Sequence, residues 1–447
     1  MLATVLTGAV HGIAGYLVRA EADVAGGLPS FAVVGLGDSA VREGRDRVAS
    51  AIRNAGYRFP PDRITVNLAP ADVPKRGASF DLPVAVGVLV ATGQVDGGNL
   101  GRVAFMGELA LDGSTRGVRG VLPVAAALAK SGARTLVVPR ENAREADAVE
   151  GLRVLAAGSL RRAAEVLAGG APDAPAAARR GEEETSELHD LSDVRGQATV
   201  KRALEVAAAG GHNLLLVGPP GVGKTMLARR LPGILPPPAP DEALVATTIH
   251  SVAGLLAPGG GILTRRPFRA PHHTASSAAL TGGGRPPVPG EISLAHAGVL
   301  FLDELPEFRR DALEALRQPL EEGTVTVTRA MCSATFPASV LLVASMNPCP
   351  CGYLGDSSRP CRCTPGAVRR YLGRVSGPLL DRIDVQVRVG RPRFDELAGD
   401  AAGERSSLVA GRVLAARRVQ YERNGAGVTN SRIPAGSLRR TAGLAAD

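Results

Sequence analysis

Over residues 1–168, short apolar runs rich in β-branched residues alternate with stretches of helical spacing. FAVVGLG from Phe31, RITVNLAP from Arg63 and RTLVVP from Arg134 predict strands, and AVREGRDRVASAIRNAG from Ala40 predicts a helix. The pattern is that of an α/β or α+β domain. Residues 169–187, GGAPDAPAAARRGEEETSE, lose this periodicity and carry runs of like charge, which marks a linker. From Leu188 the apolar spacing returns, predicting a helix that ends at Gly210 and Gly211, then a strand in NLLLVG from Asn213. Further apolar strands lie in GVLFLDE (298–304), in VLLVASMNP (340–348) and directly after Arg382. GTVTVTRAMCSATFPAS (323–339) reads as two β-runs around Arg329 and Ala330. An α/β core over 188–395 is the result, with a helix in RVLAARRVQYER beyond it in 396–447. No repeat of solenoid period interrupts this order.

Length and composition narrow the class. A chain of 447 residues holds two to three domains, and 45% hydrophobic with 21% charged residues is globular, not disordered. The longest apolar stretch, LPVAVGVLVATG after Asp81, is too short and Gly-broken for a membrane span, so no membrane partner is expected. The N-terminus lacks the basic region and cleavage site of a signal peptide. Five cysteines exclude a disulfide framework, which points to the cytoplasm. The net charge of +9 is unevenly spread. Residues 1–200 carry 22 basic and 23 acidic side chains, whereas residues 201–447 carry 30 and 20. The excess is nearly all arginine, since the only lysines are Lys75, Lys130, Lys201 and Lys224.

The strand at Asn213 runs into Gly218, Pro219, Pro220, Gly221, Val222, Gly223, Lys224 and Thr225, and then into a helical pattern, MLARRLPGIL. Strand, Gly-rich loop and helix N-terminus make a P-loop. Backbone N–H groups cradle phosphates, Lys224 reaches the β- and γ-phosphates of ATP, and the Thr225 hydroxyl ligates Mg²⁺. GVLFLDE supplies the second element: a buried strand ending in Asp303, which can hold Mg²⁺, and Glu304, which can polarise the attacking water. Asn347, at the end of another apolar strand, either orients that water or serves an Asn-Pro turn. Arg382 either reaches a neighbouring subunit's nucleotide or forms a surface ion pair.

GPPGVGKT, PGEISLAHAGVLFLDEL, SMNPCPCG and SGPLLDRID, in this order and after DVRGQ at Asp193, resemble the magnesium-chelatase-like branch of the AAA+ ATPases, within it the ComM/YifB group. The resemblance spans residues 1 to about 435. It implies a hexameric, ring-forming ATPase with a parallel-sheet core, Walker B at Asp303 and Glu304, a sensor at Asn347, and Arg382 as an arginine finger acting in trans. The activity implied is a DNA translocase or branch-migration helicase of recombination or natural transformation. A chelatase-type motor subunit acting through a protein partner and an ATP-switched assembly scaffold are the alternatives. In that family the chain continues into a helical lid with a second sensor arginine; this sequence stops at Asp447, so a partial lid over 396–447 is expected.

LAPADVPKRGASFDLPVAVGVL from Leu68 and MGELALDGSTRGVRGVLPVAAALAKSGARTLVVPREN from Met106 resemble the proteolytic domain of Lon-type proteases, an α+β fold. Ser79 matches the nucleophile. Val124 stands where the lysine base belongs, so the domain is expected to bind or assemble and not to cleave. Within 349–363, Cys349, Cys351, Cys361 and Cys363 either close around one Zn²⁺ or remain reduced or redox-paired thiols. The hairpin tip at Arg329, and Arg266 and Arg269 in the acid-free stretch 263–285, are candidate DNA contacts of a backbone-tracking kind. His272 and His273 are read as loop packing, because no cysteine or carboxylate lies close in sequence.

Overall fold

The structure, a computed structural model, describes residues 1–73, 75–178, 189–329, 332–392, 396 and 403–442. The chain forms two compact units, Met1–Thr185 with Thr247–Ile262, and Ser186–Ala246 with Leu263–Asp447.

The first unit is built on a seven-stranded mixed sheet. Its strands are β1 (Leu2–His11), β2 (Ala14–Ala25), β3 (Ser30–Val34), β4 (Arg63–Ala69), β5 (Val103–Phe105), β6 (Thr135–Val138) and β7 (Arg153–Ala156). They lie in the order β3-β4-β2-β1-β5-β6-β7. β2 runs antiparallel to β1 and β4, and the remaining pairs are parallel. Strand alternation sends successive side chains of β1 to opposite faces. Ala3, Val5 and Ala9 join one cluster with Val48 and Ile52 of the helix Ser39–Asn54 and with the helix Asp81–Ala91. Leu6 and Val10 pack on the other side with Val121, Val124 and Leu128 of the helix Val121–Lys130. The stretch after Asp81 is a helix buried almost throughout, and no described helix is long and apolar enough to cross a membrane.

Two boundaries differ from the sequence expectation. The segment expected to be a linker, 169–187, is held down at its start. Asp173 N–H donates to Ala156 O (2.9 Å), its carboxylate accepts from Gly158 N–H (2.7 Å), and Ala176 N–H donates to Arg140 O (2.9 Å). The rest of it, 179–187, lies outside the described residues. Residues 247–262, expected within the continuous core 188–395, belong to the first unit. There Ser251 Oγ donates to the buried carboxylate of Glu145 (2.6 Å), which also accepts from Asn142 (2.6 Å). Burial raises the Glu145 pKa, and these two hydrogen bonds oppose the rise.

The second unit carries a five-stranded parallel sheet made of β8 (Leu214–Val217), β9 (Phe268–Arg269), β10 (Val299–Leu302), β13 (Leu341–Met346) and β14 (Val385–Arg388). The order is β9-β10-β13-β8-β14. β10 and β13 are buried at every position, which is why they read as unbroken apolar runs. The expected hairpin is present as β11 (Thr324–Arg329) and β12 (Cys332–Pro337). Its tip, 330–331, and the Arg329 side chain lie outside the described residues. The entry helix Ala198–Gly210 ends on Gly211 at φ 71°, a left-handed cap that glycine adopts without steric cost. The helix Ser406–Asn424 packs against it. Arg417 donates twice to Ala208 O (3.0 and 2.7 Å), Gln420 donates to Ala209 O (3.1 Å), and Arg412 pairs with Glu205 (2.6 Å). Carbonyls that the entry helix leaves open at its C-terminus are thereby satisfied. After the P-loop the helix is shorter than MLARRLPGIL suggests. It spans Lys224–Ala228, and a 3-10 turn, Leu231–Gly233, carries the ring of Pro232.

Candidate active site

Parallel strands that end side by side gather their outgoing loops at one edge of the sheet. The P-loop leaves β8, Asp303 and Glu304 leave β10, and Asn347 leaves β13. Gly221 (φ 78°) and Gly223 (φ 89°) hold the left-handed conformations that curve the P-loop around an anion. Lys224 Nζ donates to Gly218 O (2.7 Å), Pro219 O (2.9 Å) and Asn347 Oδ1 (3.0 Å). Burial lowers its pKa, and the carboxylates of Asp303 and Glu304 oppose that shift.

Thr225 Oγ1 donates to Asp303 Oδ2 (2.6 Å), while Asp303 Oδ1 accepts from Ser345 Oγ and from the Glu304 N–H (3.0 Å). The donor set is oxygen only, a hydroxyl and a carboxylate, which suits a hard cation such as Mg²⁺. Ser345 has no signature in the sequence. Inside an apolar run it looks like a tolerated small residue, and its role exists only because β13 neighbours β10. Glu304 sits at φ 55°, a conformation costly for a residue with a Cβ and typical of functional turns. Its carboxylate lies 3.2 Å from His273 Nδ1, and the His272 and His273 ring centroids lie 4.1 Å apart with the rings tilted by 34°. The histidines therefore do more than pack a loop: His273 faces the group expected to activate water. Sequence distance, 31 positions, conceals this.

Arg382 precedes β14 at the opposite end of the sheet. Asn213 Nδ2 donates to its carbonyl (2.8 Å), and β14 runs beside β8 from Val385 to Arg388 before the P-loop begins. At about 3.3 Å per residue, roughly 10 Å of strand separates Arg382 from its own phosphate loop. Its guanidinium pairs with Glu321 and donates to Pro378 O (2.5 Å).

Two of the candidate DNA contacts are engaged within the protein. Arg266 is nearly buried, pairs with Glu242 (2.7 Å) and donates to Pro236 O (2.7 Å) and Ala297 O (2.5 Å). Arg269 grips Glu291 with two bonds of 2.7 and 2.9 Å. The stretch 263–285 has no acid of its own, but the fold brings acids to it from positions 242 and 291. Both arginines act as internal cross-links. In the first unit, Ser79 lies in a 3-10 turn, Ala78–Phe80, and Val124 is fully buried, with its Cγ1 2.4 Å from where a Cβ on Gly8 would lie. Lys75 is also fully buried. Its Nζ meets no hydrogen-bond partner among the described residues, and burial lowers its pKa.

Arg266, Glu242, Arg417 and Arg432 line a cavity of about 70 Å³. Nearby, His296 Nδ1 accepts from Ser339 N–H (3.1 Å); burial pushes its pKa down to about 4, with Glu242 opposing and Arg432 and Arg266 adding to the shift. A base whose folded pKa lies below its unfolded value of about 6.5 contributes stability above that value and loses it as the pH falls toward 4. Acid titration from pH 6.5 to 4 is expected to destabilise the second unit by about 3 kcal/mol through this group. In His296→Gln, denaturant melts across the same window should show a smaller loss; an identical acid profile would remove His296 from the account.

Comparison with known proteins agrees with this geometry. Residues 190–397 match the family model described as magnesium chelatase, subunit ChlI, and residues 20–142 match that of subunit ChlI of Mg-chelatase. The chain is 46% identical over 428 residues to the uncharacterized protein YifB of Salmonella typhimurium, covering 94% of this chain and 83% of that protein. It is 46% identical over 432 residues to the competence protein ComM of Haemophilus influenzae, covering 95% and 84%. An uncharacterized protein of Mycobacterium tuberculosis is 46% identical over 418 residues, covering 93% and 82%.

Proposed function

Because the chain belongs to the magnesium-chelatase-like ComM/YifB family, we propose that it is a Mg²⁺-ATP-driven AAA+ motor that forms a hexameric ring and moves or remodels DNA during recombination or natural transformation. The observation that carries the ATPase half is the bonded set Thr225–Asp303–Ser345 beside Lys224 and Glu304. In this reading the P-loop amides and Lys224 bind the phosphates, and Asn347 orients the amine. Thr225 and Asp303 hold Mg²⁺, which when bound neutralises phosphate charge. Glu304 takes a proton from the attacking water.

The DNA half is supported by the competence protein's name and by the basic excess of residues 201–447. With Arg266 and Arg269 engaged internally, the hairpin whose first strand ends at Arg329 and the exposed Arg265 and Arg285 are the candidates carried forward for a DNA contact. The N-terminal unit, in which a buried valine stands where a Lon-type lysine would, serves binding or assembly, and 406–442 supply the beginning of a lid. Turnover measured with and without branched, single-stranded and duplex DNA tests the reading. At least one DNA form is expected to raise turnover severalfold, and the stimulation should shrink with added salt, since phosphate contacts release counterions. If no form raises turnover and none binds the ATP-loaded protein, the DNA half fails and the chelatase-type or scaffold reading takes its place.

A further inference from the structure

Four of the five cysteines converge directly beyond the nucleotide site. Cys349 Sγ lies 3.4 Å from Cys351 Sγ and 3.7 Å from Cys361 Sγ, and Cys351 and Cys361 are 3.6 Å apart. With Cys363 included, all four sulfurs fall within 4.8 Å of one another. We propose that these thiols hold one zinc ion as a closed structural site, and that the ion clamps the P-loop from outside the nucleotide pocket.

The distances favour one mononuclear ion. Zn–S bonds of about 2.3 Å in a tetrahedron set the sulfurs about 3.8 Å apart, near the spacings found. A disulfide would bring one pair to about 2.05 Å and leave the others aside. A polynuclear iron–sulfur cluster anchors its cysteines on different metal atoms and spreads them more widely. Backbone amides already face the sulfurs: Cys363 N–H donates to Cys361 Sγ (3.4 Å), and the Tyr353 and Arg362 amides donate to Cys351. Such donors stabilise thiolates that carry a metal. The loop also needs a staple. Cys349 is fully buried, but Leu354 is exposed and positions 355–360 offer no apolar core, so four metal bonds supply what packing does not.

The second half of the proposal rests on the nucleotide-site reading above and on where the loop is anchored. Cys349 lies two residues past Asn347 and opens a turn closed by Gly352 N–H to Cys349 O (2.9 Å). Gly352, at φ 85°, brings its backbone against the P-loop: a Cβ there would lie 2.7 Å from Pro220 Cδ and 3.8 Å from Asn347 Cγ. On the far side, Cys363 leads into the helix Pro365–Leu372, whose buried Tyr371 phenol accepts from the Asn347 backbone N–H. Both ends of the cysteine loop therefore close on Asn347, the residue that holds Lys224.

Two measurements test the pair of claims. Elemental analysis of the purified full chain is expected to give one zinc per chain and no iron, and close to none in Cys361→Ser. Gly352→Ala keeps all four thiols while crowding Pro220. It is expected to retain zinc and bind a fluorescent ATP analogue about tenfold or more weakly, the effect of overpacking a tight contact. Substoichiometric zinc, or stoichiometric iron, in the wild-type protein overturns the ion. Full zinc with unchanged nucleotide affinity in Gly352→Ala overturns the clamp. A wild-type chain that carries zinc but binds no nucleotide overturns the clamp together with the ATPase reading, and leaves the ion standing.

Discussion

Glu304→Gln is expected to lower ATP turnover by about 10²- to 10⁴-fold while leaving ATP binding intact, because the amide keeps the shape of the side chain and loses its basicity. The site separates these functions by residue. In the proposed reading Lys224, Thr225 and Asp303 serve the phosphates and Mg²⁺; they are bonded to Asn347, to Asp303 and to Ser345 respectively. The Glu304 backbone, at φ 55°, donates to Asp303, while its carboxylate meets His273. Equilibrium binding of ATP and single-turnover hydrolysis on the same preparation check the separation. Turnover within a factor of about three of wild type would show that Glu304 is not the base. Lost binding would show that it shapes the phosphate site.

Arg382→Ala carries the second large effect. At the opposite end of β14 from its own P-loop, Arg382 has two roles open to it: ion-pairing with Glu321, or completing the site of a neighbouring subunit. The two differ by orders of magnitude. An exposed pair contributes about 0–1 kcal/mol of stability and nothing to turnover, whereas a finger contributes about 10³- to 10⁵-fold in rate. Turnover is expected to fall at least about a thousandfold in Arg382→Ala, with the melting midpoint little changed. Mixing separates cis from trans. Lys224→Ala has a dead P-loop and an intact Arg382, so combining it with Arg382→Ala, also inactive alone, should regain activity at interfaces where one chain lends the arginine and the other the site. A mixture as inactive as its components sinks the finger assignment.

The proposed nucleotide site was legible because its chemistry needs neighbours in sequence. A phosphate loop, its lysine and the first Mg²⁺ ligand must succeed one another along the backbone, and a carboxylate pair must end a buried strand. The hidden part depends on strand order. Ser345 reaches Asp303, and His273 reaches Glu304, only because separate strands end side by side. Counting charge along 263–285 conceals the partners of Arg266 and Arg269, since Glu242 and Glu291 lie outside that window and meet the guanidiniums only in three dimensions. The β1–β2 hairpin escaped for a different reason. Its alanines, glycines and threonines alternate weakly, and the turn rests on Gly12 at φ 61°, with no Asn-Gly or Asp-Gly signature.

The helix Pro240–Ala253 starts among residues of the second unit and ends among those of the first. Neither unit is thus a continuous length of chain, and the gene has no single point at which the two separate. A fragment ending within 169–187 would leave Glu145 buried without its Ser251 hydroxyl. The complementary fragment would carry 247–262 as an orphaned segment. The units are interleaved in sequence: the chain passes from one to the other at 185/186, 246/247 and 262/263, so dissection at the low-complexity stretch alone parts residues 247–262 from the unit they pack in.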